Sequence, residues 1–420
     1  MATLMQRQNY RTVLANGIVV LVVENPTADI VATRCFFRGG TCLESQHNAG
    51  ISHLISSLLA KGTVNFSSQE IAEQVESIGA SLGSEAAADY FLLSFKTIGA
   101  DFAEILHLAA EILRSPTFPD SELELERRLI LQAIASQQER PFSLAYDQLQ
   151  PMIYGEHPYG FPRMGTAETV SSLSRSDLVQ FHQTQFRPDA MVISIAGRIS
   201  AEVALSEIER AFGDWQIPDA PLPKVHREAQ FSPKIVSTAQ DTQQAIVMLG
   251  YPAPAVTSVD YAALKLITTY LGNGLSSRLF VELREKRGLA YEVSAFYPTR
   301  LDLSQFVAYM GTAPQNTQLA LDSLRSECDR LIHTTLQPDE LQTAKSKLVG
   351  QYALGKQTNG QIAQVFGWYE TIGLGMDFDR EFATAIEAVT VEDIQSAAST
   401  YLSTPAISLV GPASALAIKA

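Results

Sequence analysis

The stretch Gly50-Ile51-Ser52-His53-Leu54-Ile55-Ser56-Ser57-Leu58-Leu59-Ala60-Lys61-Gly62-Thr63 repeats its apolar residues at Ile51, Leu54, Ile55, Leu58 and Leu59. That i, i+3, i+4, i+7, i+8 spacing predicts a helix with one face on a core. His53, Ser56 and Ser57 fall on the other face. One helical turn therefore presents an imidazole and two hydroxyls away from the apolar stripe.

A helix of the H-x-x-E-H type sets two histidines four residues apart on one face, where they hold zinc while the glutamate activates the metal-bound water. Here His53 stands at the first histidine, Ser56 where the glutamate belongs, and Ser57 where the second histidine belongs. One imidazole and two hydroxyls do not make a zinc site. With Gly50 before it and Leu59-Ala60-Lys61-Gly62-Thr63 after it, the helix resembles the pitrilysin family, which includes the mitochondrial processing peptidases. In that family the third ligand is a glutamate on a later helix, in a phrase close to E-R-x-V-I-L-x-E-I. The matching phrase is Glu126-Arg127-Arg128-Leu129-Ile130-Leu131-Gln132-Ala133-Ile134, with Ala133 at the ligand position. The resemblance thus implies a degenerate zinc site at His53, Ser56, Ser57 and Ala133, with no metal in this chain.

Bulk properties narrow the function classes. A chain of 420 residues exceeds the length over which a single core keeps growing, so two domains are expected. A charged fraction of 18% beside an apolar fraction of 46% suits packed globular structure. A net charge of −14 argues against nucleic acid and anionic membranes as partners and is compatible with basic peptides. Met1 to Tyr10 holds no apolar run, and Val19 to Val23 is a short β-type stretch, so the expected location is the cytoplasm. Cys35, Cys42 and Cys328 lack metal spacing and read as reduced thiols.

Along the chain, Thr12 to Glu24 reads as a hairpin around Asn16-Gly17, and Ile30 to Phe37 as a second strand run closed by Gly39-Gly40. Ser67 and Glu70 suit the start of a helix that runs to Ile78 and stops at Gly79. Tyr90 to Lys96 reads as a strand and Phe102 to Leu113 as a helix. A long helix follows from about Asp120 and is closed by Pro141. Leu173 to Leu178 opens another helix, and Met191 to Ala196 is a strand. Pro218, Pro221, Pro223 and Pro233 mark a linker, so the expected organisation is a domain over 1–218, a linker over 219–233 and a domain over 234–420.

The second half restates the first. His53-Leu54-Ile55-Ser56-Ser57 matches Lys265-Leu266-Ile267-Thr268-Thr269 at an offset of 212, and Asp177-Leu178 matches Asp393-Ile394 at 216. Pro119-Asp120 matches Pro338-Asp339 at 219, and Ile195-Ala196-Gly197 matches Leu409-Val410-Gly411 at 214. The expected fold is therefore α+β: two tandem homologous domains, each an antiparallel sheet covered by helices. The family resemblance, which spans essentially the whole chain, implies that these form half of a clamshell chamber.

Leu271-Gly272-Asn273-Gly274-Leu275-Ser276-Ser277-Arg278-Leu279-Phe280-Val281-Glu282-Leu283-Arg284-Glu285-Lys286-Arg287-Gly288-Leu289-Ala290-Tyr291 is the most family-like phrase in the chain. The glycines and serines suit a tight turn and a helix cap, Leu279, Phe280 and Leu283 a core face, and Gly288 the helix end. In the family the matching arginine and tyrosine reach substrate bound at the zinc of the opposing half, where they donate hydrogen bonds to a peptide carbonyl and its oxyanion. Arg284 and Tyr291 occupy those positions. Without the resemblance, Arg284 reads as one member of a solvated charge run, Tyr291 as a strand residue and His53 as a satisfied structural or surface histidine.

A ruined zinc half beside an intact Arg–Tyr half resembles the non-catalytic subunit of a heterodimeric pitrilysin-type peptidase. This implies no peptidase activity alone, no cofactor in this chain, a homologous zinc-bearing partner subunit and extended peptide substrates bound along sheet edges. A homodimer is an alternative state of the isolated chain. The rival reading is an inactive scaffold like the core proteins of respiratory cytochrome complexes.

Overall fold

The computed structural model describes residues 8–224 and 228–417, so part of the expected linker, residues 225–227, lies outside the described residues. In chain order the elements are β1 (Gln8–Val13), β2 (Val19–Glu24), β3 (Val31–Arg38), α1 (Ile51–Leu58), α2 (Ser68–Ser77), β4 (Ser81–Ala86), β5 (Tyr90–Thr97), α3 (Phe102–Arg114), α4 (Asp120–Gln138), α5 (Pro141–Tyr154), α6 (Ala167–Ser172), α7 (Arg175–Gln185), β6 (Met191–Gly197) and α8 (Ala201–Phe212). They continue with β7 (Ile235–Ala239), β8 (Ala245–Ala253), α9 (Tyr261–Gly272), a π-helix (Phe280–Lys286), β9 (Ala290–Phe296), β10 (Ser304–Thr312), α10 (Thr317–His333), α11 (Pro338–Leu354), α12 (Asn359–Thr371), α13 (Phe378–Ala388), α14 (Val391–Tyr401) and β11 (Ala406–Gly411).

Two mixed sheets result, ordered β1-β2-β6-β3-β5-β4 and β7-β11-β8-β10-β9. Apart from the extra strand β1, the second order repeats the first. In each, one pair is parallel, β2 with β6 and β7 with β11, and the remaining pairs are antiparallel. The α+β class and the duplication read from sequence are therefore present, with one parallel pair added to each antiparallel sheet. The equivalent helices α7 and α14 share a detail as well: Ser174 with Asp177 and Thr390 with Asp393 each form a complete capping box.

Some local expectations change. Val13 pairs with Val19, and Leu14 N–H donates to the Ile18 carbonyl, so the first hairpin turns through Ala15, Asn16 and Gly17 rather than through Asn16-Gly17 alone. Gly17, at φ 85°, supplies the left-handed residue that a three-residue turn needs. Pro141 does more than close α4, because it is the first residue of α5.

The chain folds as two compact units, each drawn from three stretches. The first comprises 8–132, 162–224 and 353–378; the second comprises 133–161, 228–352 and 379–417. Strand burial explains the need for such pieces. β6 is buried at every residue and β2 at all but its last, so the first sheet must be covered on both faces. Helix α12 supplies one cover: Ile362, Ala363 and Phe366 pack with Leu21, Phe36 and Val192. Gly367 lets it close in, since a Cβ there would lie 2.4 Å from the Phe36 ring. In the second unit α5 packs on β8 and β11, and Gly250 on β8 leaves the space that Leu149 of α5 fills. The equivalent helices α5 and α12 are thus exchanged between the sequence halves.

Candidate functional site

Helix α1 starts at Gly50 (φ 94°), whose missing side chain is a requirement: a Cβ there would stand 2.5 Å from the Met164 carbonyl. Thr169 Oγ1 donates to the Ala49 carbonyl and ties the same loop to the helix start. The first-turn amides are satisfied by a side chain from outside the helix, because the two carboxylate oxygens of buried Glu44 accept from Gly50 N–H and Ser52 N–H, each at 2.9 Å.

The predicted apolar face is buried at Ile51, Leu54, Ile55 and Leu58. On the other face, Ser56 Oγ and Ser57 Oγ both donate to the carbonyl of His53, at 2.8 and 3.2 Å. These hydroxyls return to the helix backbone. Burial holds the half-buried His53 imidazole below its ordinary pKa; Arg163 pushes it further down and Glu126 pulls it back. Arg163 is fixed by donating to the carbonyl of Ala86 at the end of edge strand β4, and Glu126 is paired with Lys61 at 3.1 Å. The neighbourhood of His53 therefore contains a fixed cation and an acid that already has a partner. Neither Arg163 nor Glu44 carries a sequence signal of this role, since both act across loops. Ala133 is exposed on α4 and belongs to the second unit, whereas His53 belongs to the first.

The second constellation lies wholly in the second unit. Gly272 ends α9 against β9, where a Cβ would meet the Ala295 backbone nitrogen at 2.0 Å, and Ser294 Oγ donates to the Gly272 carbonyl. The phrase then runs into the π-helix, a rare form that occurs frequently at functional sites. Gly288, at φ 62°, terminates it, with Leu289 N–H reaching the Leu283 carbonyl. Neither serine provides the expected side-chain cap: Ser276 Oγ lies near Lys347 Nζ, and buried Ser277 Oγ has no partner among the described residues.

Every other basic residue of this run is paired. Arg278 contacts Glu327 at 2.9 Å and Glu282 at 3.5 Å, Lys286 contacts Glu282 at 2.7 Å, and Arg287 contacts Glu327 at 3.3 Å. Among the described residues Arg284 makes no ion pair; its exposed guanidinium lies over the Phe280 ring, 5.0 Å from the centroid. Tyr291 occupies a second irregularity. Glu292 faces Gly311 and Ala290 faces Thr312, which leaves Tyr291 as the extra residue of a β-bulge on edge strand β9. The residue is 55% exposed. The π-helix and the bulge lie within one short stretch and bring forward the arginine and tyrosine that the sequence singled out.

Both halves match M16 peptidase models: residues 19–167 match "Insulinase (Peptidase family M16)" and residues 172–348 match "Peptidase M16 inactive domain". The chain belongs to the M16 peptidase family. Its M16 relatives include an uncharacterized zinc protease of Streptomyces coelicolor, 28% identical with 96% of this chain and 89% of that protein covered. Another, from Bacillus subtilis, is 26% identical with 94% and 97% covered. The crystal structure of a peptidase M16 inactive domain from Pseudomonas fluorescens superposes with a TM-score of 0.90 at 25% identity, covering 99% of this chain and all of that one. A Helicobacter pylori protease shares the fold with a TM-score of 0.91, 20% identity and coverage of 97% and 99%.

The zinc named in the M16 relatives does not fit the donors of α1, where one imidazole stands beside two hydroxyls committed to the His53 carbonyl. No group of three or more histidines, cysteines or acids placed to hold a metal ion occurs among the described residues. No helix among them is long and apolar enough to cross a membrane.

Proposed function

We propose that this M16 chain is the non-catalytic subunit of a two-chain peptidase, binding peptide and supplying Arg284 and Tyr291 in trans to zinc held by a homologous partner. The observation that carries this reading is the contrast between paired Arg278, Lys286 and Arg287 and Arg284, which makes no ion pair among the described residues, with Tyr291 on a bulge soon after it in the chain. A solvated charge run has no physical need for either irregularity. An uncommitted guanidinium and a phenol hydroxyl are donors for a peptide carbonyl and for the oxyanion that develops when water attacks it. β4 and β9 are edge strands, and an extended peptide added to such an edge bonds chiefly through its backbone, which makes sequence preference loose.

The test is reconstitution with a homologous chain that carries an intact H-x-x-E-H helix. Cleavage of a quenched fluorescent peptide is followed alongside size-exclusion chromatography. The expected result is no cleavage by this chain alone, and cleavage by the pair that falls roughly a hundred- to thousand-fold in Tyr291→Phe or Arg284→Ala, the usual consequence of losing an oxyanion donor. Mutants that assemble and cleave at wild-type rates would replace this reading with the inactive scaffold.

A further inference from the structure

Beneath the Arg284-bearing π-helix lies one buried carboxylate. Glu327 of α10 is 4% exposed, and its two oxygens are divided between the ends of the irregular segment: Oε2 accepts from Arg278 Nε at 2.9 Å and Oε1 from Arg287 Nη2 at 3.3 Å. Arg287 also donates to Ser323 Oγ of α10 at 3.1 Å. Arg284 lies between these anchors in the chain and takes no part in them.

A π-helix persists only where its surroundings over-determine it. Reverting to α-helical pairing would add about one residue's worth of winding, so the segment would turn by up to about 100° relative to one of its ends. Arg278 and Arg287 would then no longer both reach the same carboxylate. A buried carboxylate that loses one of two guanidinium partners is strongly penalised. The double attachment therefore opposes the relaxation, and with it any change in the direction of Arg284.

Resting on the reading of Arg284 above, we infer that Glu327 is a positioning residue: it holds the π-helix through Arg278 and Arg287 and so aims Arg284 at the substrate carbonyl. Misplacement of a reacting group by about 1 Å can cost on the order of a hundred-fold in rate. Glu327→Gln should therefore lower kcat of the reconstituted pair at least about ten-fold while KM and assembly stay near wild type.

Two measurements separate this role from general support of the fold. In the full isolated chain, Glu327→Gln is expected to accelerate amide exchange across 279–288 while α10 and β10 keep their protection. In the pair, Glu327→Gln placed in an Arg284→Ala background should lower kcat by less than about two-fold, because residues that act through one another are not additive. Equal losses in both backgrounds, or unchanged exchange across 279–288, would overturn the inference while leaving Arg284 its role. If Arg284→Ala alone is without effect, the functional reading fails and this inference fails with it. Should Glu327→Gln not fold, Arg287→Gln at a 43% exposed side chain gives the same comparisons with a smaller expected effect.

Discussion

Replacing Glu44 by glutamine probes helix α1 through the buried acid at its start. Burial pushes the Glu44 carboxyl up to about 7 from an ordinary 4.5, although the amides of Gly50 and Ser52 pull it down. The folded state therefore holds this proton more tightly than the unfolded state does. The resulting stabilisation is fully present below pH 4.5 and is lost as pH rises through about 7. A gap of that size corresponds to about 3 kcal/mol. Glutamine does not titrate, and its amide NH2 turns a donor toward one of the two backbone N–H groups, leaving that group unsatisfied at a cost of about 1–3 kcal/mol. Wild type should thus exceed Glu44→Gln most at pH 5, and the difference should shrink by pH 8. Native-state hydrogen exchange of the α1 amides, compared between the two proteins at each pH, cancels titrations they share. A difference that is flat or widens with rising pH would refute the assigned environment of Glu44.

Zinc exposure followed by desalting should leave no stoichiometric zinc on the isolated chain by elemental analysis; one tightly held ion that disappears in His53→Ala would overturn the reading of α1. Gly272→Ala should lower the melting temperature of the second unit and loosen β9, at about 1–3 kcal/mol, because the new Cβ meets the Ala295 backbone at 2.0 Å. Gly288→Ala should cost only about 1–2 kcal/mol of left-handed strain, since nothing lies within 4 Å of its Cβ position. Limited proteolysis should nick the chain within 219–233, and the two fragments should still co-elute until denaturant is added, because α5 packs on β8 and β11 while α12 packs on β3 and β6. Fragments that separate in native buffer would contradict the exchange.

Features written in local patterns were legible. The Ser67 and Glu70 capping box, the Gly79 stop and the apolar stripe of α1 each depend on residues within a few positions of one another, and each occurs as read. The duplication was legible because equivalent elements keep similar spacing. The exchange of α5 and α12 was not, because which sheet a helix covers depends on long-range packing: Gly367 and Gly250 mark the contacts, but a lone glycine in a helix or strand does not name its neighbour. The π-helix and the bulge were hidden for a related reason. Each is one residue out of phase with an ordinary element, and the residues it contacts, such as Glu327, Thr312 and Gly311, lie far from it in sequence. Thus the phrase that carries Arg284 and Tyr291 could be read from the sequence, while the devices around them, the π-helix and the bulge, could not.

Those devices bear on why a chain with unsuitable zinc donors would keep the Arg284–Tyr291 region intact on the proposed reading. A π-helix is a rarely adopted form, a bulge leaves one residue outside the ladder, and a buried ion pair often stabilises no better than apolar packing of the same volume. A scaffold selected for stability alone would gain by replacing all three with regular elements. On α1, by contrast, Ser56 and Ser57 return to the helix backbone and Glu44 completes the helix start, so this region is settled locally around donors that do not suit zinc. Irregular backbone at Arg284 and Tyr291, beside a regular α-helix at His53, is the distribution expected if the first pair meets a substrate and the second region holds no metal.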